Sequence, residues 1–170
     1  MKYLMRSHAV LTDAVMLVVR LCVGTVFLAH GWDKVVTQGV AGVVQSNRDL
    51  GIPLPELSGA FLAYGELIGG ALLFGGLLTR VGAAALTVNM IGALVFVHGP
   101  SGLMLDNGGF EYVMVLAAVN LLLLAHGPGR FSVDSVLVRA FSGGGERRTP
   151  TDRPTGGGEE VAGTERSMSS

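Results

Sequence analysis

Four polar residues interrupt otherwise apolar stretches of this 170-residue chain: Arg20, Glu66, Asn89 and Asn120. Ionisable groups at membrane depth are costly, usually face a bundle interior and need partners. A carboxylate can accept a proton, a guanidinium can clamp an anion, and amides can hydrogen-bond a carbonyl. At ~1.5 Å rise per residue, Arg20 lies ~10 Å from Asp13 and Glu66 ~18 Å from Leu78. On the same rise, Asn89 lies ~13 Å from Arg80 and Asn120 ~9 Å from His126. This count puts one polar group per segment in a common layer. It predicts a buried Arg20–Glu66 ion pair supported by Asn89 or Asn120. Such a pair is either a salt bridge that fixes packing or a proton or quinone-headgroup site. Buried ion pairs are poor devices for stability alone.

A second polar cluster falls at the segment ends: His30 and Lys34, then His98, then Asp106 and Glu111. Histidines and carboxylates bind metals or relay protons. Their spacing matches no compact motif such as HExxH, so no metal is expected. His30 and His98 would be the residues to hold a metal or a haem, and His126 falls at the opposite end. The candidate ligand-binding residues are therefore Arg20, Glu66, Asn89, Asn120, His30, Lys34 and Glu111. Glu66 and Arg20 are the candidates for catalysis. The single cysteine, Cys22, cannot form an internal disulfide and reads as a small packing residue. No nucleotide fingerprint follows a strand, so no flavin or NAD site is expected. A net charge of −1 gives no footprint for nucleic acid.

The elements that must hold these residues are apolar. Hydrophobic residues make up 49% and charged residues 15% of the chain, well below the ~25% charged of soluble domains. Four segments, about 13–34, 57–78, 80–98 and 110–126, read as membrane-spanning helices. Gly51-Ile52-Pro53-Leu54-Pro55, Thr79-Arg80, Gly99-Pro100-Ser101-Gly102 and Gly127-Pro128 separate or close them. A soluble bundle would need a charged face on each helix, and Ala83 to Val97 carries no charge. Arg20 lies within the first segment and no small-x-small cleavage site follows, so that segment reads as retained rather than as a signal peptide.

The fold class expected is an all-α integral membrane protein, a four-transmembrane-helix bundle with a disordered C-terminal tail. Nine basic residues fall on one side: Lys2, Arg6, Arg80 and the six arginines after residue 126. They predict both termini in the cytoplasm. Residues 1–12 form the N-terminus, 13–138 the membrane domain and 139–170 the tail. Spacing within 35–56 and 133–141 predicts two further short helices, the first lying at the interface or capping the bundle and the second at the cytoplasmic interface. Gly143-Gly144-Gly145 opens a polar stretch that cannot build a core.

The motifs resemble a known family. His30-Gly31-Trp32-Asp33-Lys34 resembles the end of the first helix in the DoxX family, and Leu50 to Pro55 its approach to the second. Glu66-Leu67-Ile68-Gly69-Gly70 with Gly76-Leu77-Leu78-Thr79-Arg80 resembles its second helix and turn. Asn107-Gly108-Gly109-Phe110-Glu111 and Gly127-Pro128-Gly129-Arg130-Phe131-Ser132-Val133-Asp134 resemble the entry to and exit from its fourth. The resemblance covers roughly residues 15–138. It implies a bacterial four-helix inner-membrane protein. Relatives include a subunit associated with quinone reduction by thiosulfate, and others tied to oxidative or thiol stress. Arg20, His30, Lys34, Glu66, Arg80, Asn107 and Glu111 carry over as candidates. The function expected is a membrane subunit of an oxidoreductase complex, in contact with lipid, protein partners and a quinone. The alternatives are a scaffold that recruits partner proteins and an oligomeric carrier or channel.

Overall fold

The computed structural model describes residues 2–142, and every regular element among them is helical. The helices are α1 (Lys2–Trp32), α2 (Val40–Asp49), α3 (Pro55–Gly75), α4 (Thr79–Gly92), α5 (Glu111–His126) and α6 (Val133–Ser142). α1 begins at Lys2 rather than near residue 13. The tail expected to be disordered from 139 is helical through Ser142, and the rest of it lies outside the described residues. Two π-helical turns extend α1 and α4, over Asp33–Thr37 and Ala93–His98.

Among the described residues, three stretches are long and apolar enough to cross a membrane: Val10–Thr37, Pro55–Gly75 and Thr79–Ser101. α5 is equally apolar but has 16 residues, about 24 Å of helix. Large apolar side chains such as Val18, Ile68, Val81, Val88, Val115 and Leu122 stand exposed on the outside of the bundle, where a bilayer would cover them. Cys22, expected to be a small packing residue, is also exposed.

In lipid the hydrophobic effect does not pull helices together, and close backbone approach takes its place. α3 lies between α1 and α4, and α5 packs on α4. Glycines set the register between them. A Cβ on Gly31 would fall 2.3 Å from the Leu67 nitrogen, one on Gly70 2.7 Å from the Leu28 nitrogen, and one on Gly24 2.8 Å from the Phe74 nitrogen. α1 and α3 are therefore antiparallel and nearly in backbone contact along most of their shared length. Met16, Val23, Phe27, Leu73, Leu86, Met90, Leu116 and Leu123 fill the interior.

The segment 127–134 straps the far end of this bundle. Arg20 donates from Nη1 to the Pro128 carbonyl at 2.7 Å and from Nη2 to the Phe131 carbonyl at 2.8 Å. Gly76, with φ +67°, passes so close to the Arg20 guanidinium that a Cβ would sit 2.6 Å from its Cζ. Asp13 accepts from the Arg130 nitrogen at 3.1 Å. The Asp134 carboxylate accepts from the Leu78 and Thr79 nitrogens at 2.8 and 3.2 Å. Those are two of the donors that the start of α4 leaves without a helical partner. Asp134→Ala is expected to lower unfolding stability by about 0.5–2 kcal/mol, the usual cost of a lost cap. Thermal unfolding in detergent measures it, and Asp134→Asn should recover only part of the loss, since its amide nitrogen cannot accept the second N–H.

Candidate functional site

The polar residues collect at the other end of the bundle, beside α2. Glu66 projects from the face of α3 that it shares with Gly59, Ala63, Gly70 and Leu73, all of which are inward. Its carboxylate lies 2.6 Å from Lys34 Nζ. The Glu66 side chain is 5% exposed and that of Lys34 19%. Lys34 reaches inward from the π-helical turn that ends α1. Turns of this kind widen a helix and recur at functional sites.

The pair opens onto a cavity of about 350 Å³. His30, His98, Tyr112, Gln38, Ser46 and Asn47 supply its other polar groups. Phe27, Leu62, Met90, Val113 and Leu116 make the remaining wall apolar. The His30 and Tyr112 rings lie 6.5 Å apart, tilted by 50°. His98 sits at the end of the second π-helical turn, and its Nδ1–H donates to the Gly108 carbonyl at 2.7 Å. That bond leaves Nε2 as the acceptor nitrogen of the neutral ring. A buried carboxylate against an ammonium, with imidazoles and a phenol around it, can take up, hold and pass protons. The apolar wall suits a small, flat, lipophilic head.

This arrangement changes the expected grouping. Arg20 does not pair with Glu66. It lies level with Gly76 at the far end of α3, ten residues and so about 15 Å along the axis from Glu66. The depth count started from Asp13 and Leu78 as though they were level. α1 instead runs past α3, and Asp13 meets the strap at Arg130. Lys34, about 21 Å along α1 from Arg20, takes the place expected of the arginine.

Asn89 and Asn120 do not support the pair either. Asn89 packs against Gly65, with Nδ2 donating to the Leu62 carbonyl at 3.5 Å. Asn120 is fully buried in the core with both side-chain polar atoms unpartnered among the described residues. Glu111 turns away into the loop 102–111, where Oε1 accepts from the Leu105 nitrogen at 2.7 Å. Gly109 lets the same loop close, since a Cβ there would lie 2.4 Å from the Gly102 carbonyl oxygen. Asn107, Gly108 and Glu111 thus shape the loop that holds His98 rather than line the cavity. Among the described residues no three His, Cys, Asp or Glu side chains come together to hold a metal.

Residue spacing did not single out Tyr112, Gln38, Ser46 or Asn47 as site residues. Asn47 shares the inward face of α2 with Val43, which is the one signal that pointed toward it.

Comparison with known proteins gives a consistent picture. The DoxX family model matches residues 15–99. A protein of Bacillus subtilis named "Putative oxidoreductase CatD" is 34% identical over 111 residues, which cover 63% of this chain and 76% of that protein. An uncharacterized membrane protein of Mycobacterium tuberculosis is 32% identical over 144 residues, 76% of this chain and 85% of that protein. No solved structure matches.

Proposed function

We propose, for a chain that belongs to the DoxX family, the role of a membrane subunit in an oxidoreductase assembly whose cavity receives a quinone or thiol-type head. α5 would be the fourth span, shortened but fully apolar. Both termini would lie in the cytoplasm, since Arg80, Arg130 and Arg139 fall at the α6 end. The cavity would then open near the outer face of the inner membrane.

The observation that carries this reading is the Lys34–Glu66 pair at the wall of an otherwise apolar cavity. In it Glu66 accepts a proton and Lys34 holds a developing negative charge on an oxygen or sulfur of the head. His30, Tyr112 and His98 pass protons between the pair and the loop surface. A quinone, when bound, would supply two-electron redox chemistry. The chain's own residues orient the head, exclude bulk water from it and manage its protons. With one cysteine in the sequence, the chain has no dithiol to take up electrons, so those leaving the head pass to a partner protein as its proton passes to Glu66. The name of the Bacillus subtilis relative agrees with such a role.

Gentle purification into nanodiscs, followed by native mass spectrometry and optical spectra, tests this. A quinone is expected with the wild-type chain and is expected to be absent from Glu66→Gln and Lys34→Met chains that accumulate normally in membranes. A quinone retained equally by all three would overturn the reading.

A second reading, a scaffold for partner proteins, is favoured by α6. Val136, Val138 and Phe141 stand exposed there, Phe141 to 82%. If that face binds a partner rather than the bilayer surface, truncation after Leu137 abolishes co-purification of the partner and leaves the quinone in place.

A further inference from the structure

A second cavity, of about 280 Å³, adjoins the first. The two share Asn47, Leu62, Ala93 and Val97 as lining residues. The remaining wall of the second comes from Ile52 and Pro53 in the loop before α3, Phe61 and Ser58 on α3, Val88, Asn89 and Gly92 on α4, and Phe96 beyond it. Phe61, Val88 and Phe96 are between 41% and 58% exposed, and they stand on the flank between α3 and α4, not on a loop.

The shape of that flank follows from the glycines. α3 and α4 are pinched where a Cβ on Gly82 would lie 3.2 Å from the Gly69 carbonyl oxygen, and where Gly69 itself faces Leu86. One turn further on, the Asn89 amide occupies the space against Gly65. Beyond Asn89 the second cavity opens between residues of α3 and α4, and α4 passes into its π-helical turn at Ala93. A Cβ on Gly92 would meet no atom within 4 Å. No comparable gap separates α1 from α3, whose backbones stay together at Gly24, Gly70 and Gly31.

We infer that the Lys34–Glu66 cavity is loaded sideways, from the bilayer, through this α3–α4 crevice. The inference rests on the reading of the first cavity as a head-group site and deepens it. The ligand is a membrane-dissolved amphiphile: a flat polar head beside Lys34 and Glu66, and an apolar chain lying across Leu62, Ala93 and Gly92 and out past Phe61 and Val88. Asn47 and Asn89 line the passage. A crevice lined by phenylalanine, valine and small residues on a lipid-facing flank suits an alkyl or isoprenoid chain. It offers no attraction to a charged solute arriving from water.

The test uses the full chain in nanodiscs and a benzoquinone carrying an alkyl chain with a diazirine at its far end. Irradiation is expected to label Phe61, Val88 or Phe96. Gly92→Leu fills the crevice floor and Val88→Trp covers its mouth. Both are expected to reduce labelling by about tenfold, because the added side chain takes the space of the alkyl chain and losing the burial of about two CH₂ groups already amounts to that factor. Val88→Trp sits on the exposed surface, so it keeps the test informative if Gly92→Leu folds poorly. Binding of the chainless benzoquinone, followed by native mass spectrometry, should change less than about twofold in Val88→Trp, where no packed contact is altered. Labelling of Gln38 or Ser46 instead, or undiminished labelling in both variants, overturns the sideways route while the head-group site stands. Failure of the wild-type chain to hold either probe overturns the head-group reading itself.

Discussion

Lys34→Met is expected to be the most damaging single change at the site. It leaves the Glu66 carboxylate, 5% exposed, without its cation. Breaking a buried pair from one side costs about 3–5 kcal/mol, because the remaining charge stays desolvated. Glu66→Gln should cost less. Lys34 is 19% exposed and on a flexible stem, so its ammonium can swing toward water. The double variant Lys34→Met with Glu66→Gln should recover much of the loss, since no net charge is left in the cavity. Unfolding in detergent micelles completes this double-mutant cycle. Additive losses under about 1 kcal/mol each would mark the pair as a solvated surface bridge. The cavity would then not be the dry site that its proposed chemistry requires.

Gly31→Ala is expected to prevent normal assembly of α1 on α3. The added Cβ would lie 2.3 Å from the Leu67 nitrogen and 2.8 Å from the Glu66 carbonyl carbon. These are backbone atoms inside a helix, and no rotamer change can clear them. Overpacking typically costs 1–3 kcal/mol, and a clash between two helix backbones belongs at or above the top of about that range. Gly42→Ala in α2 is the matched control. A Cβ there meets nothing within 4 Å, so the gain in helix propensity, about 0.5–1 kcal/mol, should appear as unchanged or higher stability. Membrane accumulation and melting temperature of the two variants distinguish these outcomes. A Gly31→Ala chain as stable as the wild type would mean that α1 and α3 do not approach as described. Because Gly31 lies beside both His30 and Glu66, its close packing is also what brings Lys34 within reach of the carboxylate.

Much of this architecture was legible in the residues themselves. Uncharged runs such as Ala83 to Val97 must bury their backbone polar groups within a helix if they sit in lipid, so helices follow from composition. The short helices Val40–Asp49 and Val133–Ser142 showed as apolar residues at helical spacing. Glu66 was legible too, as a lone carboxylate among apolar neighbours.

The identity of its partner was not. Spacing along one helix gives axial distance within that helix, at a fixed rise per residue. It carries no information on how far one helix slides against another. That offset was decided by backbone-to-backbone contacts at Gly24, Gly31 and Gly70, between residues 36 to 50 positions apart in the chain. They carry Arg20 down to Gly76 and the strap, and bring Lys34 up to Glu66. Glu111 shows the same limit at shorter range: a carboxylate at a segment end reads as a ligand, until the loop folds back and the Leu105 nitrogen takes it. The sequence by itself determined which segments are helical and membrane-like and which polar residues need partners. Only the tertiary structure decided which partner each one found, because helix register depends on contacts between chains of atoms that spacing alone cannot relate.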